Sequence, residues 1–544
     1  MAYNSFYKVD PPANEPALSY LPGSPERASL KAELKKQAAE VVKIPVVVNG
    51  KEIYTDTTVP VVMPHDHSHV LAEVCLAGEK EIREAVSAAM AAKESWEALP
   101  TEQRFSIFEK AAALASGPWR DRLNASTMLS QSKTVWQAEI DAGCELSDFL
   151  RFNVHNAYEI YGEQSMTVGT NEWNRIVWRP LEGFVVAISP FNFTSIGCGL
   201  STAPAIAGNT VLWKPSTTAV LSSWYFYQVL EAAGLPAGVI NFLPCRGSDL
   251  SAYALSDKDF GGFHFTGSTK VFKQVWKTVG DNIFTYRSYP RLVGETGGKD
   301  FVFAHPTADV EALVTGITRA AFEYQGQKCS ACSRAYIPAS LWPRVKERLL
   351  EEVAKLKVGD VADFRTMLGA VIDQKAFDRI TAAIDAARAS EDADVLCGGY
   401  DGSKGWFVEP TIIQAKTPDY DTMLRELFGP VLTVYVYDDA KLEETLDHCA
   451  NAAEYALTGS IYAEDREAVA HMEWVLRQAA GNFYINEKPT GATVGQQPFG
   501  GARGSGTNDK AGTTGNMRRW MSPCSIKEVF VPGTEVSYPY MSEE

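Results

Sequence analysis

No run of apolar residues in this 544-residue chain approaches the roughly 18 that a membrane-spanning helix requires. Met1 to Lys8 has no charged start followed by an apolar stretch, so it does not read as a secretory leader. It is not Arg-rich either, and Asp10 and Glu15 come early, so no mitochondrial presequence is visible. The sequence reads as a cytoplasmic protein, with the mitochondrial matrix as the alternative if the numbering begins at a processed start. Basic residues are outnumbered, 51 Lys and Arg against 67 Asp and Glu. The net charge of -16 and pI near 5.1 argue against nucleic acid or an anionic membrane as the main partner. Nine cysteines, an odd and scattered set, make a poor disulfide framework and point to a reducing compartment. The one close pair, Cys329-x-x-Cys332, lacks the second pair or spaced histidines of a zinc site, so no metal is expected. A thioredoxin-like redox pair would need to start a helix after a strand in a small domain. Cys332 reads more simply as a small packed residue. No internal repeat or low-complexity tract stands out.

What remains is an ordinary globular composition, 45% hydrophobic and 22% charged. The length suggests three or four domains, or one large two-lobed enzyme. Residues 10–25, rich in Pro, Gly and Ser, predict an extended arm. Segments 79–96, 102–115 and 139–152 predict helices. From Gly183 strands and helices alternate: strands at 183–188, 209–213, 239–242 and 262–266, helices at 194–208, 220–233 and 268–279. This spacing predicts a doubly wound parallel sheet, the architecture that binds dinucleotides at the carboxyl ends of its strands. A second α/β series runs from about Phe301 to Asn486. Residues 167–179 and 522–532 read as detached β segments able to pair with each other and with a neighbouring subunit.

The most informative stretch is Phe322 to Arg334, where Cys329 follows a Gly/Gln/Lys turn and precedes small residues. Glu295 lies upstream in Glu-Thr-Gly-Gly-Lys, and Asn192 in Pro190-Phe-Asn-Phe193. A thiol to attack a carbonyl, a carboxylate to activate water and an amide to hold an oxyanion form a working set. Around them stand Phe265-Thr-Gly-Ser268 at a strand-to-helix turn, Trp213-Lys-Pro-Ser216 ending a strand, and Glu426-Leu-Phe-Gly-Pro430. Taken singly each has a bland reading: a turn and helix cap, a surface lysine, a loop.

Taken together and in order, with Pro498-Phe-Gly-Gly501, these seven elements resemble the aldehyde dehydrogenase superfamily over almost the whole chain. The resemblance implies an α/β fold with a dinucleotide-binding domain (1–165 and 181–294), a catalytic domain (295–510) and a small β oligomerisation flap (166–180 and 511–544). It implies NAD as cofactor, held by Ile188, Pro190, Lys214, Ser216, Gly247, Gly267, Ser268, Glu426 and Phe428, and a homodimer. Many members carry glutamate at the position of Ser216, where it grips both ribose hydroxyls. A serine grips less and repels a 2′-phosphate less. Within the superfamily, Gln325 to Arg334, Gly495 to Arg503 and Gly23-Ser-Pro-Glu-Arg27 look like one branch, which oxidises glutamate γ-semialdehyde to glutamate in the second step of proline catabolism. On that likeness Cys329 is the nucleophile, reaching its thiolate near neutral pH, with Asn192 and the Cys329 N–H as oxyanion donors and Glu295 as base. Ser330 and the backbone at Gly491 and Ala492 anchor the substrate carboxylate, Phe193 and Phe499 flank its chain, and Glu145 faces its ammonium. Glu145 reads equally well as a solvated or salt-bridged helix residue. Many relatives carry serine in place of Ala492, so the anchor loses a hydroxyl. A transient contact with proline dehydrogenase is a further implied partner. The alternatives are an enzyme for another small carboxylated aldehyde, a CoA-acylating or phosphate-reducing relative, which Glu295 counts against, and a non-catalytic relative.

Overall fold

Five parallel strands carry the first half of the site in a computed structural model that describes residues 6–167 and 169–543. Met1 to Ser5, the start of the segment searched for a leader, lie outside the described residues, as do Val168 and Glu544 of the flap segments. Across the first seven-stranded sheet the order is Arg291–Glu295, Phe260–Thr266, Phe184–Ile188, Val211–Lys214, Ile240–Phe242, Val46–Val48 and Lys51–Ile53. The first five are parallel, and Val46–Val48 runs antiparallel to both of its neighbours. Phe184–Ile188 is apolar throughout because helices cover both faces of a parallel sheet, so no position needs a polar side chain. Chain order reverses on either side of Phe184–Ile188. The loops leaving it and Phe260–Thr266 therefore part in opposite directions and leave a crevice at the strands' carboxyl ends.

The second seven-stranded sheet is ordered Ala393–Cys397, Thr411–Ala415, Val431–Tyr437, Cys332–Pro338, Asp300–Ala304, Thr458–Tyr462 and Asn482–Ile485. Only its first strand is antiparallel. Helix Val310–Phe322 makes the crossover from Asp300–Ala304 to Cys332–Pro338, and the segment bearing Cys329 returns from that helix to the sheet. A ribbon stands apart from both sheets. Glu172–Pro180 pairs antiparallel with Met521–Val529, and the alternating exposure of both strands leaves Trp173, Val177 and Val529 exposed, with Phe530 just beyond.

Between Gly183 and Val279 the expected elements are met to within two residues. Two features differ from the sequence reading. The helix expected at 139–152 begins as a π-helix, Glu139–Glu145, and continues as Leu146–Gly162. The wider turn turns two acidic side chains inward, each onto its own partners: Glu139 to Arg120, Asn124 and Tyr20, and Asp141 to Lys133. A three-stranded sheet of Val42–Ile44, Asp66–Cys75 and Thr58–Met63 was not foreseen. Among the described residues no helix is long and apolar enough to cross a membrane.

Candidate active site

Strand register brings the cofactor candidates into line. Ile188 pairs with Lys214 on one side and Phe265 on the other, and Thr266 pairs with Glu295. The carboxyl ends of four strands thus hold Lys214, Ile188, the Phe265-Thr-Gly-Ser turn and Glu295 in one row. Pro190 continues from Ile188. Ser268 caps helix Thr269–Asp281, accepting from Val271 N–H at 3.4 Å. The amino end of that helix opens toward the crevice, the position at which main-chain N–H groups receive a phosphate. Gly247 begins a short helix with nothing within 4 Å of where a Cβ would stand, which leaves room for a ligand. The Lys214 ammonium donates to the Pro215 carbonyl at 3.1 Å, and burial lowers its pKa. Ser216 shares a hydrogen bond with Thr218 at 3.1 Å.

Glu426 reaches the row from the other sheet. Gly298 N–H donates to it at 2.9 Å, and a Cβ at Gly297 would lie 2.4 Å from its carboxylate. The paired glycines of Glu-Thr-Gly-Gly therefore exist in part to let this carboxylate approach. Phe428, at φ +56, sets its ring edge-on to Phe191 with centroids 5.7 Å apart.

Cys329 is presented by an unusual turn. Tyr324, Gln325 and Gly326 are all left-handed, at φ +52, +55 and +64. Two non-glycine residues there are strained, and the surroundings hold them. The buried Gln325 amide donates to the carbonyls of Ser132 (2.9 Å) and Ala370 (2.8 Å). The Gln327 side chain accepts from Ile372 N–H at 2.9 Å, and its main-chain carbonyl accepts from the Asn192 amide at 3.0 Å. A Cβ at Gly326 would fall 2.3 Å from the Gly429 carbonyl, so no other residue fits.

Cys329 keeps some exposure, whereas Cys332 is buried and its thiol donates to the Arg334 carbonyl at 3.5 Å. Burial pushes the Cys329 thiol well above its usual range, and the carboxylates of Asp300, Glu295 and Glu426 add to this. Burial first, and then these neighbouring acids, oppose the thiolate that the sequence reading expects. Glu295 accepts from Gly501 N–H at 2.9 Å and is pushed up to about 8, chiefly by burial. It is a carboxyl poised to exchange a proton near neutral pH.

The substrate candidates surround this turn. Ser330 shares a hydrogen bond with Thr490 at 2.8 Å, immediately before Gly491 and Ala492. Phe193 lies edge-on to Tyr324, and the Lys133 ammonium sits over its ring, 3.8 Å from the centroid. Phe499 is bridged to Ala511. Glu145 keeps some exposure and, among the described residues, forms no ion pair. It accepts from the Ser195 hydroxyl at 2.8 Å and is pushed up to about 8 by burial, with Asp141 adding to the shift.

Three groups escaped the sequence reading. Asp300, buried and pushed up to about 8, accepts from Thr458 N–H at 2.7 Å. Lys133 pairs with Asp141 at 2.7 Å in full burial. Asp141 in turn accepts from the N–H groups of Thr194 (3.0 Å) and Ser195 (2.8 Å), and so caps the helix that follows Phe193. Only Asp300, next to the Glu-Thr-Gly-Gly-Lys motif, had a signal in the sequence.

Residues 53–525 match the model of the aldehyde dehydrogenase family. The chain is 53% identical over 544 residues to the mitochondrial delta-1-pyrroline-5-carboxylate dehydrogenase of Dictyostelium discoideum, covering 99% of this chain and 98% of that one. It is 50% identical over 531 residues to the human mitochondrial enzyme of the same name, covering 97% and 94%. Among solved structures, the delta-pyrroline-5-carboxylate dehydrogenase from Mycobacterium tuberculosis bound with NAD superposes with a TM-score of 0.96 at 50% identity, covering 99% of this chain and all of that one. The chain belongs to the aldehyde dehydrogenase family.

Proposed function

We propose that this chain oxidises L-glutamate γ-semialdehyde, the open form of Δ1-pyrroline-5-carboxylate, to L-glutamate with NAD. The observation that carries the reading is identity at half or more of all positions, over nearly full length, with enzymes named for that substrate. The crevice fits NAD: the row of strand ends, the open amino end of helix Thr269–Asp281 and the space at Gly247 suit a pyrophosphate, while Lys214, Ser216 and Glu426 can meet ribose hydroxyls. NAD bound there supplies a hydride acceptor beside Cys329.

The chain's own groups do the rest. Cys329 gives its thiol proton to solvent, the thiolate sulfur adds to the aldehyde carbon, and the carbonyl electron pair moves to oxygen. The second N–H of the Asn192 amide and the Cys329 N–H stabilise that oxyanion. Loss of hydride re-forms the carbonyl as a thioester on Cys329. Glu295 takes a proton from water, hydroxide adds to the thioester, the thiolate departs and glutamate is released. Ser330, Thr490 and the N–H groups of Gly491 and Ala492 receive the α-carboxylate, and Glu145 the ammonium.

A site built to pair a carboxylate leaves its donors unpaired when that group is missing, at about 1–3 kcal/mol for each. Pentanal is therefore expected to be poorer than the semialdehyde by roughly tenfold to a few hundredfold in kcat/KM, read as NADH absorbance. Ser330→Ala is expected to narrow the gap, mainly by weakening the semialdehyde, and glutamate is expected to compete. Equal rates for both aldehydes with no inhibition by glutamate would remove the substrate assignment and leave the family intact.

The domain bounds given above accompany this reading, with the ribbon as a flap that pairs with a second copy. Its exposed Trp173, Val177, Val529 and Phe530 support that role. Deleting the residues after Gly515 is expected to give monomers or insoluble protein, and a truncated enzyme of native mass by light scattering would refute it. The mitochondrial names of the Dictyostelium and human relatives favour the matrix over the cytoplasm as compartment.

A further inference from the structure

The extended arm ahead of the first helix reaches the substrate end of the site. Asn14 commits its whole side chain there. Its Nδ2 donates to the Asp148 carboxylate at 2.9 Å and to the Val494 carbonyl at 2.8 Å, and its Oδ1 accepts from Gln496 Nε2 at 2.9 Å. The next residue fastens the arm. Glu15 N–H donates to Asp148 at 2.7 Å, and its carboxylate pairs with Arg120 (2.9 Å) and Arg151 (2.8 Å). Asp148 and Arg151 lie on helix Leu146–Gly162, which follows directly from Glu145.

The segment that Asn14 grips is residues 491–497. Two left-handed glycines stand in it, Gly491 at φ +89 and Gly495 at φ +79, and Gly491, Gly495, Gln496 and Gln497 are exposed. Its own hydrogen bonds are internal: the N–H groups of Gln496 and Gln497 donate to the Thr493 carbonyl at 3.0 and 3.1 Å, and Thr493 N–H donates to the Gln497 side chain at 3.0 Å. Among the described residues, Asn14 makes the only hydrogen bonds that tie 491–497 to the rest of the chain. The remaining holds are the buried Val494 side chain, set against Gly512, and the backbone of Gly495, which lies against the Phe152 ring of helix Leu146–Gly162.

We propose that Asn14 is a positioning residue for substrate selectivity. It latches the 491–497 turn to helix Leu146–Gly162, so that the N–H groups of Gly491 and Ala492 keep one direction toward the substrate carboxylate. The inference rests on the reading of that turn as the carboxylate anchor. Alanine at position 492 makes the latch matter more, because this side of the anchor has no hydroxyl of its own and depends on backbone direction.

The test is steady-state kinetics of the full-length enzyme with NAD and two aldehydes, glutamate γ-semialdehyde and pentanal. Asn14→Ala is expected to raise KM for the semialdehyde by roughly threefold to tenfold, the scale of one or two partly exposed hydrogen bonds. KM for NAD and kcat/KM for pentanal are expected to stay within about twofold. Asn14→Asp keeps an acceptor for Gln496 but sets a carboxylate against Asp148 and the Val494 carbonyl, and is expected to lose at least as much selectivity. Glu15→Gln loosens the arm's ion pairs and leaves the grip on the turn, so it is expected to lower Tm without changing the ratio of the two aldehydes. An Asn14→Ala enzyme with unchanged selectivity, or one that loses both aldehydes equally, overturns the latch. A Glu15→Gln enzyme that loses selectivity as Asn14→Ala does also overturns it. A wild type with no preference for the semialdehyde overturns the anchor reading itself and the latch with it.

Discussion

Replacing Cys329 with alanine is expected to cut NADH formation from every aldehyde by at least roughly 10⁴-fold, the scale on which removing a covalent nucleophile acts. NAD is expected to bind with unchanged affinity by titration calorimetry. The reason is local. The turn carrying Cys329 is held by Gln325 and Gln327, through bonds to Ser132, Ala370, Ile372 and Asn192, and none of these uses the thiol. Loss of the sulfur removes the attacking atom and leaves its support. The neighbouring thiol cannot substitute, because Cys332 is buried in the core beside the strand that it begins. Appreciable oxidation by the alanine enzyme would refute the assignment.

Glu295→Gln is expected to separate the two halves of the reaction. Hydride loss requires only the thiohemiacetal, so a first turnover of NADH, about one per active site, is expected to survive. Steady turnover is then expected to fall by roughly 10²–10⁴-fold, the usual contribution of a positioned general base. The pH dependence follows from burial. Glu295 is pushed up to about 8, so below that pH most molecules carry it protonated and unable to accept a proton from water. Steady turnover of the wild type is therefore expected to rise with pH through about 7 to 9 and then level. The glutamine enzyme is expected to lose that limb. If the burst vanishes in a folded variant that still binds NAD, Glu295 acts before hydride loss.

The alternating sheet was legible because buried parallel strands must be written as continuous apolar runs, as in Phe184–Ile188, with glycine closing the helix at Gly234. Cys329 and Glu295 were legible as chemistry because each stands in a short motif dense in glycine and small residues, and Asn192 because its amide stands between two aromatics in Pro-Phe-Asn-Phe. What could not be read locally was the tertiary use of ordinary residues. Asp141 caps a helix that starts at Thr194, and Ser132 accepts from Gln325. Asn14 meets Val494 at the far end of the chain. The environment of the thiol also depends on packing: the motif gives the cysteine, but the burial that raises its pKa, and the approach of Asp300 and Glu426 that adds to it, arise only in the folded chain. The π-helix at Glu139–Glu145 has the composition of any helix and is fixed by the partners of its inward carboxylates.

The most direct test of the whole account is intact-protein and peptide mass spectrometry of Glu295→Gln, quenched in acid after mixing with NAD and glutamate γ-semialdehyde. The account predicts one glutamyl group added per active site, on the peptide containing Cys329 and bound to that sulfur, matched one to one by NADH formed. NADH formed without a covalent adduct, or an adduct carried on Cys332 instead, would contradict it.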